Sequence, residues 1–213
     1  MKNSKPISLD NLLNYPDEKF SDVSLEIERV IKKIKPIYIG KSKEENKGLN
    51  NDRLGLVENE EDKDWSAWVL VDDTVYGDID YYRHREWNQM ALRLFPKLVD
   101  FIENMPLEGI GRVIIMAIDS NKKVTTHIDD QFSHNQEIPE YDRLLNISFG
   151  TKNRLYMSDP ITKKKDYFVG RINWIDVSDW HGIDPSPQFT YSVRFDAKLN
   201  KEFRQTIRDE YGV

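Results

Sequence analysis

The second half of the chain is a series of short strand-like segments separated by turns, and this pattern restricts the fold more than any other feature. Runs rich in β-branched, aromatic and aliphatic residues predict strands at residues 113–118, 124–129, 144–149, 154–157, 167–175 and 189–195. Turn residues occur between them at 158–160 and 184–187. Because many short strands without long helices between them pack most simply as antiparallel layers, the pattern predicts a β-sandwich or barrel.

The first half of the chain has helical periodicity instead. Between the candidate cap Ser21 and Pro36, apolar residues recur at helical spacing, namely Val23, Ile27, Val30, Ile31 and Ile34. A second helical stripe extends from Trp87 to Met105, and Pro96 should kink it or divide it into two helices. We expect these helices to pack on one sheet, which gives an α+β fold.

The length of 213 residues fits one domain. We therefore predict a single domain over residues 1–213, with a helical N-terminal part at 1–109, a strand-rich core at 110–196 and a C-terminal extension at 197–213. Within the N-terminal part, residues 65–71 predict a strand. The polar and charged residues 41–64 predict a mobile surface loop.

The chain contains no cysteine, which excludes disulfides, thiolate metal sites and cysteine nucleophiles. Any metal must be bound by imidazole and carboxylate groups, and the sequence offers four histidines, His84, His127, His134 and His181. The net charge of −6 argues against non-specific binding to nucleic acid or to an anionic membrane. With no membrane-length apolar run and no signal-peptide core, the sequence predicts a soluble, cytoplasmic protein.

The segment His127-Ile128-Asp129 lies at the end of a predicted strand. Side chains two residues apart on a strand share a face, so His127 and Asp129 can reach one metal ion while Asp130 points away. His181 follows much later, between a predicted strand and the turn at 184–187. Two imidazoles and one carboxylate leave positions open on iron(II) for a co-substrate and dioxygen. We therefore predict His127, Asp129 and His181 as metal ligands and catalytic residues.

Arg194 is a candidate anion-binding residue on the last predicted strand. A guanidinium group in a strand-rich interior needs a carboxylate partner, and its planar fork matches the distal carboxylate of 2-oxoglutarate. The structural alternative is an ion pair with Asp196 or Asp176.

Residues 110–196 resemble the 2-oxoglutarate- and iron(II)-dependent oxygenase superfamily, and within it the aspartyl/asparaginyl β-hydroxylase-like branch. The matching segments are His127-Ile128-Asp129, Tyr141-Asp142-Arg143-Leu144-Leu145-Asn146, Trp174-Ile175-Asp176, Trp180-His181 and Ser192-Val193-Arg194-Phe195-Asp196. The resemblance implies a double-stranded β-helix, the jelly-roll or cupin-like architecture. It also implies Fe(II), 2-oxoglutarate and O2, with decarboxylation of 2-oxoglutarate to succinate coupled to hydroxylation of a C–H bond.

By the same resemblance, Arg194 binds the distal carboxylate of 2-oxoglutarate, and Arg143 and Ser192 belong to the co-substrate site. The expected substrate is a small molecule, such as an amino acid, or a protein side chain. The chain departs from the branch in two ways. Leu145 stands where many relatives have a histidine two residues after the Arg143 equivalent, and the interval between His181 and Arg194 is longer than expected.

Three alternatives stay open at this level. A metal site made of His127, Asp130 and His134 can be drawn on sequence proximity, although His134 is otherwise a loop residue that could contact substrate. A cupin-like protein would hold a metal or a small ligand without oxidising it. A nucleic-acid demethylase of the same superfamily would be expected to carry a second arginine six residues after Arg194, where this chain has Asn200.

Overall fold

The computed structural model describes residues 6–42, 58–71, 86–128, 143–150, 154–175 and 179–212. In these ranges the helices are α1 (Asp10–Leu13), α2 (Asp17–Ile31), α3 (Gln89–Leu94), α4 (Pro96–Glu103) and α5 (Lys201–Tyr211). The strands are β1 (Ile7–Ser8), β2 (Tyr38–Gly40), β3 (Trp65–Val71), β4 (Leu107–Ile118), β5 (Val124–His127), β6 (Arg143–Ile147), β7 (Arg154–Ser158), β8 (Lys165–Tyr167), β9 (Ile172–Ile175), β10 (His181–Asp184) and β11 (Thr190–Leu199).

These strands form two antiparallel sheets. The large sheet has the order β1-β9-β6-β11-β4-β3-β2, and the small sheet has the order β5-β10-β7-β8. From β4 to β11 the chain passes to the other sheet at every step except between β7 and β8. The predicted α+β class with antiparallel sheets is therefore confirmed, and strands distant in sequence become neighbours within each sheet.

The helices cover one face of the large sheet, as their periodicity predicts. Side chains of α2 and α4 form a buried cluster with β6 and β11, including Phe20, Ile27, Phe101, Ile102, Leu145, Ile147, Val193 and Phe195. Full burial of one such side chain contributes about 1.5–3 kcal/mol, so this layer is the main source of apolar stabilisation.

A second and smaller apolar cluster lies between the two sheets. The large sheet contributes Ala67, Ile118, Leu144 and Ile175, and the small sheet contributes Val124, Leu155, Met157 and Ile183. Successive residues of a strand point to opposite faces, so each large-sheet strand meets the helices with one set of side chains and the small sheet with the other.

The first long helix begins earlier than predicted. Helix α2 starts at Asp17 directly after Pro16, and the predicted cap Ser21 is inside it, where its hydroxyl donates to the Asp17 carbonyl at 3.0 Å. The overlooked signal is the pair Asp17 and Glu18 in the first turn, where negative charge interacts favourably with the helix dipole. The predicted division at Pro96 is confirmed, because α4 begins there.

The strand predicted at 167–175 is two strands in different sheets. Strand β8 ends at Tyr167 and β9 begins at Ile172, and between them Gly170 has a φ of 97°, a conformation that favours glycine. The Asp10 carboxylate accepts hydrogen bonds from the N–H groups of Arg171 and Ile172, both at 2.7 Å. A contact from the N-terminus therefore directs the chain into the large sheet, where β1 pairs with β9.

Strands β1, β2 and β10 were not predicted. The first two lie at opposite edges of the large sheet, so the part of the chain before residue 110 contributes strands as well as helices. Residues 43–57 of the predicted loop at 41–64 lie outside the described residues. In the described part of the chain, no helix has the length and apolar character needed to cross a membrane.

Candidate active site

His127 and His181 lie side by side on adjacent strands of the small sheet. They are directly opposite each other in the antiparallel pairing of β5 and β10. Their ring centroids are 4.3 Å apart, the ring planes are inclined by 50°, and His181 is only 1% exposed. Strand pairing thus brings together two of the three predicted ligands, while their role as ligands stays a prediction.

Both rings face the space between the two sheets. Met157 lies opposite His181 on β7, and Ile183 lies two residues further along β10. Both of these side chains belong to the apolar cluster between the sheets. Because opposite residues and residues two apart share a face, His181 faces that cluster, and His127 shares the same face.

The hydrogen bonds of the two rings define which nitrogen carries the proton. Nδ1 of His127 lies 2.7 Å from the carbonyl oxygen of Thr125, and Nδ1 of His181 lies 2.9 Å from that of Asp179. A carbonyl oxygen can only accept, so Nδ1–H donates in both rings, and in the neutral imidazole this leaves the lone pair on Nε2. This tautomer is the one that coordinates metal through Nε2 with the ring held by its other nitrogen.

The remaining candidate ligands lie outside the described residues. These are the predicted ligand Asp129, the alternative pair Asp130 and His134, and His84. In the ranges that the structure covers, no group of three His, Asp or Glu side chains could hold a metal ion. The two described imidazoles fit part of an iron, zinc, copper or nickel site, and a carboxylate from the segment directly after β5 would complete it.

Arg194 faces the same space from the large sheet. On β11 the neighbouring residues Val193 and Phe195 belong to the helix-side cluster, so Arg194 and Ser192 point towards the small sheet. Arg194 is 8% exposed and Ser192 is 1% exposed. Two predicted co-substrate residues therefore lie on the wall that faces the histidine pair.

Two buried amides beside Arg194 were missed by the sequence analysis as site residues. Asn146 lies opposite Arg194 on β6, and Asn173 lies opposite Asn146 on β9. Both side chains are buried, and within the described chain neither amide atom of Asn146 nor the amide oxygen of Asn173 has a hydrogen-bond partner. A buried unpaired amide costs about 1–3 kcal/mol, which makes these atoms candidates for ligand contact. The available signal was a polar residue within otherwise apolar strand segments.

Two other positions from the sequence analysis can be located. Arg143 begins β6 opposite Ala197. Its side chain is not among the described ones, so its co-substrate role stays a prediction. Asn200, which stands where a demethylase would carry a second arginine, caps helix α5, because its side chain accepts a hydrogen bond from the N–H of Phe203 at 2.8 Å.

Gly182, the residue after His181, is covered by Tyr156 on the outer face of the small sheet, the face turned away from the large sheet. Tyr156 lies opposite Gly182 on β7. A Cβ added to Gly182 would lie 2.6 Å from the Tyr156 hydroxyl oxygen and 2.9 Å from the Val124 carbonyl oxygen. The absence of a side chain at position 182 therefore allows the tyrosine to lie across β10.

We expect Gly182→Ala to lower the free energy of unfolding by about 1–3 kcal/mol, because the methyl group must displace Tyr156 or the backbone of β5. Urea unfolding measures this loss. In a Tyr156→Phe background, which lacks the hydroxyl, the cost of Gly182→Ala should be smaller. A Gly182→Ala variant as stable as the wild type would contradict the close packing.

Asp184, at the end of β10, joins β10 to β8 in the small sheet. Its carboxylate accepts hydrogen bonds from the Lys165 ammonium and the Tyr167 hydroxyl, both at 2.6 Å. Burial raises the pKa of Asp184, but the hydrogen bonds from Lys165 and Tyr167 outweigh burial and hold the pKa below its usual value. The charged carboxylate is therefore the form that the folded chain stabilises.

We expect Asp184→Asn to lower the free energy of unfolding by about 1 kcal/mol at neutral pH, a modest value because the site is partly exposed. A carboxyl group with a lowered folded-state pKa contributes stability above its unfolded pKa, about 4, and loses it as the pH falls through the folded pKa. The difference between wild type and variant should therefore shrink below about pH 4. Urea unfolding of both proteins from neutral pH to about pH 2 measures this difference in the free energy of unfolding. A difference that is as large at about pH 2 as at neutral pH would contradict a lowered pKa of Asp184.

The sequence matches no protein-family model and no curated protein. Similar solved structures include a Pseudomonas putida prolyl-4-hydroxylase, with 8% identity, coverage of 87% of this chain and 89% of that chain, and a TM-score of 0.44. A Trichoplax adhaerens prolyl hydroxylase in complex with a hypoxia inducible factor peptide fragment has 12% identity, coverage of 89% and 81%, and a TM-score of 0.43. An oxidoreductase of the 2OG-Fe(II) oxygenase family from Burkholderia pseudomallei has 12% identity, coverage of 63% and 68%, and a TM-score of 0.40. Likeness at this level assigns neither activity nor substrate, so the function has to be argued from the chain's own residues.

Proposed function

We propose that the chain is a non-haem iron(II)- and 2-oxoglutarate-dependent oxygenase with a double-stranded β-helix core. The observation that supports it most is the histidine pair, because His127 and His181 face the inter-sheet space with rings 4.3 Å apart and with Nε2 as the basic nitrogen in both. The passage of the chain between two sheets from β4 to β11 supports the proposed fold.

In this proposal His127, Asp129 and His181 hold Fe(II) and leave coordination positions open for the co-substrate. When bound, the metal with 2-oxoglutarate and dioxygen supplies the oxidising chemistry that hydroxylates a C–H bond. The chain's own contribution is geometric. The carbonyl groups of Thr125 and Asp179 hold both imidazoles in the metal-binding tautomer, and the apolar residues around them limit the access of water.

Arg194 is proposed to bind the distal carboxylate of 2-oxoglutarate, with Ser192 and Arg143 assigned to the same site. A guanidinium–carboxylate pair forms two parallel hydrogen bonds, and burial of Arg194 makes that pair stronger than it would be in water. The amide of Asn146, opposite Arg194 in the sheet, offers a further donor to the same ligand or to the substrate.

The substrate class proposed is a small molecule, such as an amino acid, or a protein side chain. The Trichoplax adhaerens neighbour is described with a bound peptide fragment. For this chain, the choice between a small-molecule and a protein substrate can be tested by screening metabolites and peptides for a mass gain of one oxygen atom, with Fe(II), 2-oxoglutarate and O2 supplied.

The activity itself is tested without knowledge of the substrate. Purified chain with Fe(II), 2-oxoglutarate, O2 and ascorbate should form succinate slowly, because decarboxylation proceeds to some extent uncoupled from hydroxylation, with ascorbate supplying the two electrons that a substrate would otherwise give. His127→Ala should release the iron and stop this turnover. If His127→Ala releases iron and succinate forms at the wild-type rate, the proposed function is wrong.

Calorimetry separates an oxygenase from a cupin-like binding protein. We expect 2-oxoglutarate to bind only in the presence of a divalent metal, and Arg194→Lys to weaken that binding by about 10-fold or more, because lysine cannot form the bidentate pair. Arg194→Lys keeps the positive charge, so the difference in affinity between variant and wild type measures the contribution of the planar guanidinium geometry. Binding of 2-oxoglutarate that depends on neither the metal nor Arg194 would favour the non-oxidising alternative.

A further inference from the structure

Strand β5, which carries His127, is weakly secured by its own pairing. It has four residues, lies at an edge of the small sheet, and has an irregularity in its pairing with β10 between His181 and Ile183. Its central residues Thr125 and Thr126 are polar on both faces of the strand. Register is weakly specified in strands of this kind, so strand pairing by itself fixes the position of His127 beside His181 only weakly.

A side-chain hydrogen bond across the neighbouring strand supplies a further constraint. The hydroxyl groups of Tyr156 and Thr126 are 2.8 Å apart, although Tyr156 is on β7, Thr126 is on β5, and β10 lies between them. The tyrosine crosses β10 at Gly182, where any side chain would collide with it. Since Thr126 precedes His127 and Gly182 follows His181, this contact lies directly behind the two rings.

The opposite edge of β5 is also tied to the rest of the protein. The N–H of Thr125 donates to the Ser42 hydroxyl at 2.7 Å, and the two hydroxyl groups are 3.0 Å apart. Ser42 is itself anchored, because its N–H donates to the Asp64 carboxylate at 2.8 Å. β5 is therefore held from both sides, and besides its backbone pairing with β10 the Tyr156 contact joins it by a side chain to β7 in the interior of the small sheet.

We propose that Tyr156 is a positioning residue for the metal site, whose hydroxyl reaches over Gly182 to Thr126 and holds β5 in the register that keeps His127 beside His181. The inference rests on the proposed function only in assuming that the histidine pair binds a metal. Tyr156 itself is on the outer face and does not touch the ion. Loss of its hydroxyl should weaken metal binding through the position of His127 and leave the fold intact.

The first test compares the affinity for cobalt(II) alone, measured by calorimetry under anaerobic conditions. Tyr156→Phe and Thr126→Val should each raise the Kd by about 10-fold, the size expected for a group that orients a ligand. The double variant should be no weaker than either single variant, because both changes remove the same bond. Tyr167→Phe is the matched control, since it removes a hydroxyl bonded to Asp184 on the same sheet, and its Kd should equal that of the wild type.

The second test needs no metal. Amide hydrogen exchange at residues 124–127 should be about 10-fold faster in Tyr156→Phe than in wild type or Tyr167→Phe, because local opening of β5 becomes easier. Wild-type cobalt affinity in Tyr156→Phe, or unchanged exchange in β5, would overturn this inference alone. A wild-type chain that binds no cobalt would overturn the proposed function, and the metal-positioning role with it.

Discussion

Replacement of His181 by alanine is expected to abolish stable metal binding and to lower 2-oxoglutarate turnover by more than about 100-fold. Loss of a group that only orients a ligand lowers metal affinity or activity by about 10- to 100-fold, so loss of a proposed ligand itself should lower them further. His181 is buried opposite His127, and these two are the histidines that the described ranges contain. Metal content after dialysis and succinate formation measure the two effects.

Neighbouring residues provide matched controls for Asp129, the proposed carboxylate ligand. Asp129→Asn should lose the metal and Asp130→Asn should keep it, because residues two apart on an extended segment share a face and adjacent residues do not. His134→Ala should also keep the metal. If Asp130→Asn and His134→Ala release the metal while Asp129→Asn retains it, the alternative site of His127, Asp130 and His134 is the correct one.

Replacement of Glu26 by alanine is expected to lower the free energy of unfolding by about 2–4 kcal/mol. Glu26 is a buried residue of α2, and its two carboxylate oxygens accept hydrogen bonds from the N–H groups of Lys97 and Leu98, each at 3.0 Å. These N–H groups are in the first turn of α4, where no intrahelical partner exists and negative charge is favourable. The N-cap residue of α4 is Phe95, whose side chain makes no capping hydrogen bond, so Glu26 from α2 caps the helix instead.

Two variants identify the cause of the loss. Glu26→Gln keeps one oxygen acceptor and loses the charge, so it should cost about half as much as the alanine variant. Asp22→Ala removes an exposed ion pair between the same two helices, at 2.9 Å from Lys97, and should cost less than about 0.5 kcal/mol. Urea unfolding measures all three, and equal losses for Glu26→Ala and Asp22→Ala would contradict a buried capping role.

Local patterns were sufficient for most of the helices and strands. The helical stripe divided at Pro96 follows from helical periodicity, and the strands β3, β4, β7 and β11 follow from their runs of apolar, β-branched and aromatic residues. Strands β3 and β11 are buried on both faces, between the helices and the small sheet. Local patterns failed at β8 and β9, where Gly170 and the carboxylate of Asp10 divide one apolar segment between two sheets. That division depends on a residue from the other end of the chain.

The sequence analysis predicted candidate metal-binding groups, whose role stays a prediction, and it did not predict the buried polar residues beside Arg194. With cysteine absent and four histidines present, imidazole and carboxylate were the available ligands, and His127, Asp129 and His181 were predicted from them, with Arg194 as a separate anion-binding residue. Asn146 and Asn173 were not selected as site residues, because a polar residue within an apolar strand segment does not show which side chains lie beside it on neighbouring strands. Their place beside Arg194 arises from cross-strand pairing of β6 with β9 and β11.

The sequence by itself determined the alternation of side chains, the helical faces, the supply of metal-binding groups and the arginine on the last long strand. The tertiary structure decided which of these groups meet. His127 and His181 become neighbours only because β5 and β10 pair, and Tyr156 reaches Thr126 only because position 182 has no side chain. The physical reason is that periodicity is a local property of the chain, whereas strand pairing joins distant segments through backbone hydrogen bonds that are nearly independent of side-chain identity.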